Sequence, residues 1–391
     1  MNNNSSWNHF LSLTWVYIMI FPTGNIFNIS IPILFLVLFN FKIKTNVMMP
    51  LFVFLMVTLI LNLGQPYMWF KGISRLITMA IIFITFSSFK GSRIYYPYIL
   101  FTLLYVIGSQ ISYMYNVSFL TSIFNQFYGV AEKVSDIYQM DLGDVSMADV
   151  YAGRRFGGIY INPNNCASFV SLIYALGLCE LNYDNASRRR IYIFIALVAF
   201  SFLLTGSRTS IIVFAIITIL YLRNKGVGVT KFVILVAVAL ALLSVVDIGG
   251  FRVFKVGEGL EDSFGVKMSL LVQYLHVCDN TIHLLFGCGD ITATNVLYHS
   301  HMEGTDFDLG NILITFGFFF YVLYIAFYFK LYKTLSKQDR IILVVLLWSF
   351  SNSILISFRM CPVWFISIGV LYRRALMHKK EMHYIKATQT E

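Results

Sequence analysis

The chain has 391 residues, of which 58% are hydrophobic and 12% are charged, and its mean hydropathy is +0.72. Water-soluble domains carry about 25% charged residues, so this composition excludes a soluble globular protein and predicts an all-α, polytopic integral membrane protein. The net charge of +10 does not indicate nucleic-acid binding, because the basic residues are scattered over short connections between apolar segments.

Apolar segments near the length needed to cross a bilayer recur along the chain. They predict about twelve transmembrane helices in a single transmembrane domain that covers residues 1–391. The predicted spans lie near residues 9–22, 28–41, 47–63, 75–89, 97–115, 162–180, 191–205, 208–222, 231–246, 309–329, 341–357 and 361–372.

The connections between these spans alternate in charge. One set, around residues 42–44, 90–93, 180–190, 223–231, 330–340 and the C-terminal tail, holds 19 of the 29 Lys and Arg residues and five of the 19 acids, Glu180 and Asp184 among them. Because cytoplasmic connections are enriched in Lys and Arg, the pattern places this set and both termini in the cytoplasm. The opposite connections then face outwards.

Two outward-facing loops are long, residues 116–161 and 247–308, and loops of this length are usually functional. The first opens with apolar residues at helical spacing, from Phe119 to Phe127, which predicts a short helix in the membrane interface. It ends in Arg154-Arg155-Phe156-Gly157-Gly158. Arginines beside glycines allow the backbone to approach an anion closely, and Asn162-Pro163 predicts a turn into the next helix.

The second loop carries Arg252 and a helical pattern over residues 268–277. Its later part holds the densest set of titratable groups in the chain, including His299, His301 and Asp306. A histidine has an ordinary pKa near 6.5 and is the usual general base, although a carboxylate can also serve. Cys278 and Cys288 share this loop and could pair in an oxidising compartment, or be two unrelated thiols.

Arg208 is the single charged residue in the apolar run Ile191–Leu222, which breaks at Gly206. An arginine in hydrocarbon costs at least about 2.5–3.5 kcal/mol, so Arg208 should lie at a membrane face or in a polar cavity. Two readings remain for it: a functional cation, or a helix-end anchor that reaches the lipid head groups. The same choice applies to Arg75, which opens a predicted span beside Lys71.

Three segments together resemble the O-antigen polymerase and ligase superfamily of bacterial cell envelopes. They are Arg155-Phe-Gly-Gly-Ile-Tyr-Ile-Asn-Pro-Asn, Thr205-Gly-Ser-Arg208-Thr-Ser, and Phe286-Gly-Cys-Gly289 followed by the span with Phe316-Gly317-Phe318. The resemblance implies a GT-C-like glycosyltransferase of the bacterial inner membrane, with its active site and two long loops facing the periplasm. It also implies an undecaprenyl-diphosphate-linked glycan as donor, no metal or other cofactor, and a separate chain-length-regulating co-polymerase as partner.

The motifs and the charged residues that flank the predicted spans or lie in the long loops supply the candidate site residues. Substrate-binding candidates are Arg75, Arg155, Arg208 and Arg252, because arginine binds a diphosphate bidentately and stays charged. Base candidates are His299, His301 and Asp306. A polymerase, which extends a lipid-linked repeat unit, is favoured because Asp306 precedes an apolar span.

Two alternatives stay open at this point. A ligase, which transfers the glycan to lipid A-core, is the first alternative, since His299-Ser300 matches its His-Asn/Ser motif loosely. A transporter of lipid-linked or anionic substrates is the second, although the chain has no evident internal repeat.

Overall fold

The computed structural model describes residues 3–20, 79–115, 117–128, 156–160, 162–226, 281–287, 308–350 and 360–388. Within these ranges the chain forms helices and no strand, so the predicted all-α class is confirmed there. The α-helices are α1 (Asn3–Ile20), α2 (Met79–Ser88), α3 (Tyr96–Met114), α4 (Ser118–Tyr128), α5 (Pro163–Tyr183), α6 (Arg188–Thr205), α7 (Arg208–Asn224), α8 (Thr281–Phe286), α9 (Asp308–Thr334) and α10 (Met360–Thr388). Two 3-10 helices cover Gly158–Tyr160 and Asp339–Phe350.

Four of the described helices are long and apolar enough to cross a membrane, and they indicate a membrane protein. They are α3, α5, the Thr315–Thr334 part of α9 and the Met360–Met382 part of α10. Helix α2 and most of α7 are apolar but shorter. The predicted spans near residues 28–41, 47–63 and 231–246 lie outside the described residues.

Several predicted boundaries agree with the structure because local signals mark them. Helix α5 begins at Pro163 after the N-cap Asn162, whose side-chain oxygen accepts a hydrogen bond from the Asn164 amide at 2.8 Å. Proline at the first helical position costs no backbone hydrogen bond. The turn predicted at Asn162-Pro163 is confirmed, because α5 begins there. The interface helix predicted in the first loop is present as α4.

Three predicted spans differ in detail from the observed helices. The span predicted over 361–372 lies within a longer helix, because α10 continues to Thr388, and the described part of the span predicted over 341–357 is a 3-10 helix. Charges such as Arg373 and Arg374 end an apolar run, but arginine is a good helix former and does not end a helix. The span predicted over 309–329 is interrupted at Gly317, which has φ 77° and ψ 177°.

The chain divides into two compact units. Within the described residues, the first unit contains α1, α3 to α7 and residues 336–348, and the second contains α2 and α8 to α10. Each has its own buried core. In the first, the Trp348 indole donates to Ser171 Oγ at 2.8 Å; in the second, the Trp364 indole donates to the Tyr328 hydroxyl at 3.0 Å.

Side-chain contacts give the helix directions within the first unit. Arg93, just before α3, pairs with Glu180 near the C-terminus of α5, whereas Gln110 near the C-terminus of α3 contacts Cys166 at the start of α5. Helices α3 and α5 are therefore antiparallel. We call the two ends of this bundle the Arg93 end and the Gln110 end; the α6–α7 turn and residues 156–160 lie at the Gln110 end.

Candidate functional site

The structure describes one of the seven predicted site residues. Arg208 is the first residue of α7, and the structure describes its backbone. The other predicted binding residues, Arg75, Arg155 and Arg252, and the predicted bases, His299, His301 and Asp306, lie outside the described residues. The same holds for Cys278 and Cys288. The candidate site is therefore built from the segments that flank these positions.

The turn between α6 and α7 sets the position of Arg208. Gly206 ends α6 in the left-handed region, with φ 56° and ψ 24°, and its amide donates to the carbonyl groups of Phe202 and Leu203. A residue with a Cβ is disfavoured in this conformation, which explains the glycine. Two residues later α7 begins, so the break predicted at Gly206 is confirmed.

Helix α7 begins with a cation, which opposes the helix dipole. The N-terminus of a helix carries a partial positive charge and exposes amide groups without intrahelical partners. The side chain of Ser207, the N-cap residue, makes no capping hydrogen bond. An arginine at the positive end of a helix forms an arrangement that an anion would stabilise.

The segment that follows Arg155 lies against this turn. The Phe156 amide donates to the Leu204 carbonyl at 2.8 Å, in the last turn of α6. Residues 156–160 are all buried. The two arginine-bearing motifs are thus joined within a few residues of Arg155 and Arg208.

Gly158 allows the segment to approach α3 closely. It has φ 55°, and a Cβ on it would overlap Ser109 Oγ and lie 3.2 Å from the Gln110 amide nitrogen. The Ser109 hydroxyl in turn accepts a hydrogen bond from the Ile159 amide at 3.3 Å. Glycine is required here for both its backbone conformation and its lack of a side chain.

Gln110 is the centre of the buried polar contacts at this end. Its Nε2 donates to the Phe156 carbonyl at 3.0 Å and lies 3.3 Å from the Ser201 carbonyl and 3.4 Å from Cys166 Sγ. Its Oε1 accepts from the Ser201 hydroxyl at 2.7 Å. One fully buried amide therefore connects α3, α5, α6 and residues 156–160.

Tyr160 anchors the C-terminal end of the segment 156–160. Its hydroxyl donates to the Met19 carbonyl in α1 at 2.9 Å, and its ring stacks on Phe169 with centroids 4.2 Å apart. The segment between Phe156 and Tyr160 is thus held by four helices of the first unit.

The Arg93 end contains a different kind of polar group. Arg93 Nε and Nη2 both donate to Glu180 Oε2 at 3.0 Å, and Nη2 also bonds to Asp184. Glu180 is fully buried, while Asp184 is 42% exposed. Burial disfavours the charged form of Arg93, but the neighbouring Glu180 and Asp184 carboxylates outweigh it and raise the pKa of Arg93 above its ordinary value.

In the second unit, two glycines of the sequence motifs meet. Gly287 has φ 90° and lies directly after α8, and Gly317 interrupts α9. A Cβ on Gly287 would lie 2.7 Å from the Gly317 amide nitrogen, and a Cβ on Gly317 would overlap the backbone of Gly287 and Leu285. The sequence placed these glycines in one family pattern, and the structure brings them into backbone contact.

Sequence reasoning missed the residues that hold the site together. Ser109, Gln110 and Ser201 lie in apolar segments and were not among the predicted residues. A signal was available, because a polar side chain such as Gln110 inside a membrane span is expensive unless it is bonded. The bonded partners themselves are distant in sequence and carry no local signal.

Among the described residues, no cluster of three or more His, Cys, Asp and Glu side chains could hold a metal ion. The predicted bases His299, His301 and Asp306 are not among these side chains, since they lie outside the described residues. Compared with known proteins, the chain matches no family model, no curated protein and no solved structure.

Proposed function

We propose that this protein is a surface polysaccharide polymerase of the O-antigen type. It transfers a growing glycan from undecaprenyl diphosphate to a new lipid-linked repeat unit. The observation that carries the proposal is the 2.8 Å hydrogen bond between the Phe156 amide and the Leu204 carbonyl. It joins the residue that follows Arg155 to the residue that precedes the Thr205–Ser210 motif, and a diphosphate-binding site made of Arg155 and Arg208 requires these segments to lie together.

The arginines act on the leaving group. As the glycosidic bond breaks, the lipid diphosphate gains negative charge, and donors aimed at developing charge supply a large part of catalysis. Arginine binds such oxygens bidentately and remains charged at every relevant pH. Arg208, at the positive end of α7, contributes with Arg155, and Arg75 and Arg252 are further candidates.

The acceptor hydroxyl needs a base, and the segment from His299 to Asp308 supplies the candidates. A neutral imidazole of His299 or His301 can take the proton near neutral pH. Asp306 is the alternative base. No metal or other cofactor is part of this proposal.

The proposed orientation follows from the charge pattern. The Arg93 end and its neighbours Arg188, Arg189 and Arg190 face the cytoplasm, as the positive-inside rule requires. The Gln110 end, with Arg208 and the two long loops, then faces the periplasm of a bacterial inner membrane. About twelve spans and two cytoplasmic termini complete this topology, and a chain-length-regulating co-polymerase is the proposed partner.

Deletion of the gene, followed by complementation, tests the function. A polymerase mutant is expected to carry a surface glycan that stops at a single repeat unit, and the wild-type gene should restore long chains. The measurement is the ladder of glycan lengths on a gel, with lipid-linked intermediates quantified in parallel.

Other outcomes would identify other functions. Long lipid-linked polymer that is not attached to lipid A-core would indicate the ligase. Repeat units that accumulate on the cytoplasmic side would indicate a transporter. Unchanged glycan length and attachment would exclude all three functions.

A further inference from the structure

The buried carboxamide of Gln110 connects the two segments that lead to the proposed arginine pair. On one side its Nε2 binds the Phe156 carbonyl, and on the other its Oε1 accepts from the Ser201 hydroxyl in α6. Three residues beyond Ser201, the Leu204 carbonyl accepts a hydrogen bond from the Phe156 amide. Gln110, Phe156 and one turn of α6 therefore form a closed ring of hydrogen bonds.

We infer that Gln110 is a positioning residue of the proposed active site. Its carboxamide fixes the segment that follows Arg155 against α6, and so holds the end of α6 that leads into Arg208. The inference rests on the proposed function. Gln110 itself is fully buried, so it acts through these arginines and does not contact the substrate.

The chemistry of the carboxamide suits this role. A carboxamide carries a donor and an acceptor on the same carbon, and here the donor serves the Phe156 carbonyl while the acceptor serves the Ser201 hydroxyl. Both peptide groups of the ring are buried, so removal of the amide leaves the Phe156 carbonyl without this partner. Ser109 adds a second attachment, to the Ile159 amide at 3.3 Å.

Misplacement of a binding group by about 1 Å can cost up to 100-fold in rate. Gln110→Met, which keeps the length but removes the amide, is therefore expected to lower glycan extension about tenfold at equal amounts of membrane protein. Ser201→Ala, which removes one bond and keeps the Phe156 contact, should give a smaller loss. It also serves as the test if the methionine variant does not fold.

Tyr174→Phe provides a matched control. It removes a buried hydrogen bond of 2.6 Å between Tyr174 in α5 and Thr218 in α7, within the same bundle. It does not touch residues 156–160. Its glycan extension should stay within about twofold of the wild type, and a loss equal to that of Gln110→Met would reduce Gln110 to a structural residue.

Two readouts separate positioning from general destabilisation. Hydrogen–deuterium exchange of the full-length protein should show faster exchange of the Phe156 amide in Gln110→Met, with residues 170–178 unchanged. In an Arg208→Lys background, Gln110→Met should add less than about twofold further loss, because the two residues act on one site. Unchanged exchange, or losses that multiply in full, would overturn the inference.

The proposed function can fail separately. If the wild-type protein extends no glycan, the polymerase proposal fails on that result alone. Normal extension by Arg208→Ala, with faster Phe156 exchange in Gln110→Met, would contradict the role of the arginine. Extension that is lost in Arg208→Ala but unaffected by Gln110→Met would contradict the positioning role only.

Discussion

The two ends of the first unit hold their helices together by different means. At the Arg93 end, a buried carboxylate and an arginine neutralise each other, and cations such as Arg188 and Arg223 at the same end are exposed. At the Gln110 end, neutral hydrogen bonds and the close approach of Gly158 to α3 hold the helices together. The described segments at that end, residues 105–128, 156–170 and 198–213 without the undescribed positions 116 and 161, contain no Asp or Glu.

The two ends therefore differ in whether a positive charge is available to bind a ligand. The Arg93 charge is satisfied inside the protein, so this end is suited to stability and membrane anchoring. Arg208 lies at the opposite end, at a helix N-terminus whose dipole has the same sign, and the described segments of that end contain no carboxylate. A neutral framework keeps a cation attractive to an anionic substrate, whereas a nearby carboxylate would compete with that substrate.

The largest expected effect is loss of the Arg93 pair. Arg93→Ala leaves the fully buried Glu180 without its arginine, which costs about 3–5 kcal/mol. We expect a severe loss of folded protein, measured by thermal unfolding of the purified protein. Arg188→Ala, an exposed arginine at the same end, should change little, and adding Glu180→Gln to Arg93→Ala should recover part of the stability. Equal stability of Arg93→Ala and Arg188→Ala would contradict the stabilising role of the Arg93–Glu180 pair at this end.

Gly158→Ala should give the next largest effect, at the Gln110 end. The added Cβ overlaps Ser109 Oγ and meets a strained φ of 55°, and overpacking of this kind costs roughly 1–3 kcal/mol. Displacement of the segment should also reduce glycan extension about tenfold. Gly108→Ala is the control, because nothing lies within 4 Å of the position that its Cβ would take. Full extension by Gly158→Ala would show that the segment does not position the site.

A smaller effect is expected from the two left-handed glycines that flank α7. Gly206 and Gly226 have φ values of 56° and 69°, so alanine at either position should cost roughly 1 kcal/mol. Only Gly206→Ala shifts the helix end that carries Arg208, and only it should slow glycan extension. Equal activity of the two variants at matched stability would contradict the functional difference between the ends.

The sequence predicted local features of this fold well. The boundaries of α3, α5, α6 and α7 lie within three residues of the predicted spans, because Asn162-Pro163 and Gly206 are strong local signals. Arg208 stood out because a charge in an apolar run is costly. The grouping of Arg93 with Glu180 and Asp184 on one side was also predicted from alternating charge, and their contacts agree with it.

The remaining features depend on residues that are distant in sequence. The Gln110 contacts join positions up to 91 residues apart, and no periodic pattern encodes them. The break of α9 at Gly317 exists because the backbone of Gly287 approaches it; a glycine inside an apolar run does not by itself predict a break. The bases His299, His301 and Asp306 stay predictions, since they lie outside the described residues.

Helix α7 runs between the two ends of the first unit, so it allows a direct test of whether these ends differ in function. Arg208 and Arg223 lie at its first and last turns, about 23 Å apart at 1.5 Å per residue. The measurement is glycan chain length in a deletion strain that expresses either variant at equal membrane abundance. We expect glycan extension to fall at least about tenfold in Arg208→Ala, and we expect glycan chains of near-normal length from Arg223→Ala. Normal chains from Arg208→Ala, or equal losses from both variants, would contradict this difference.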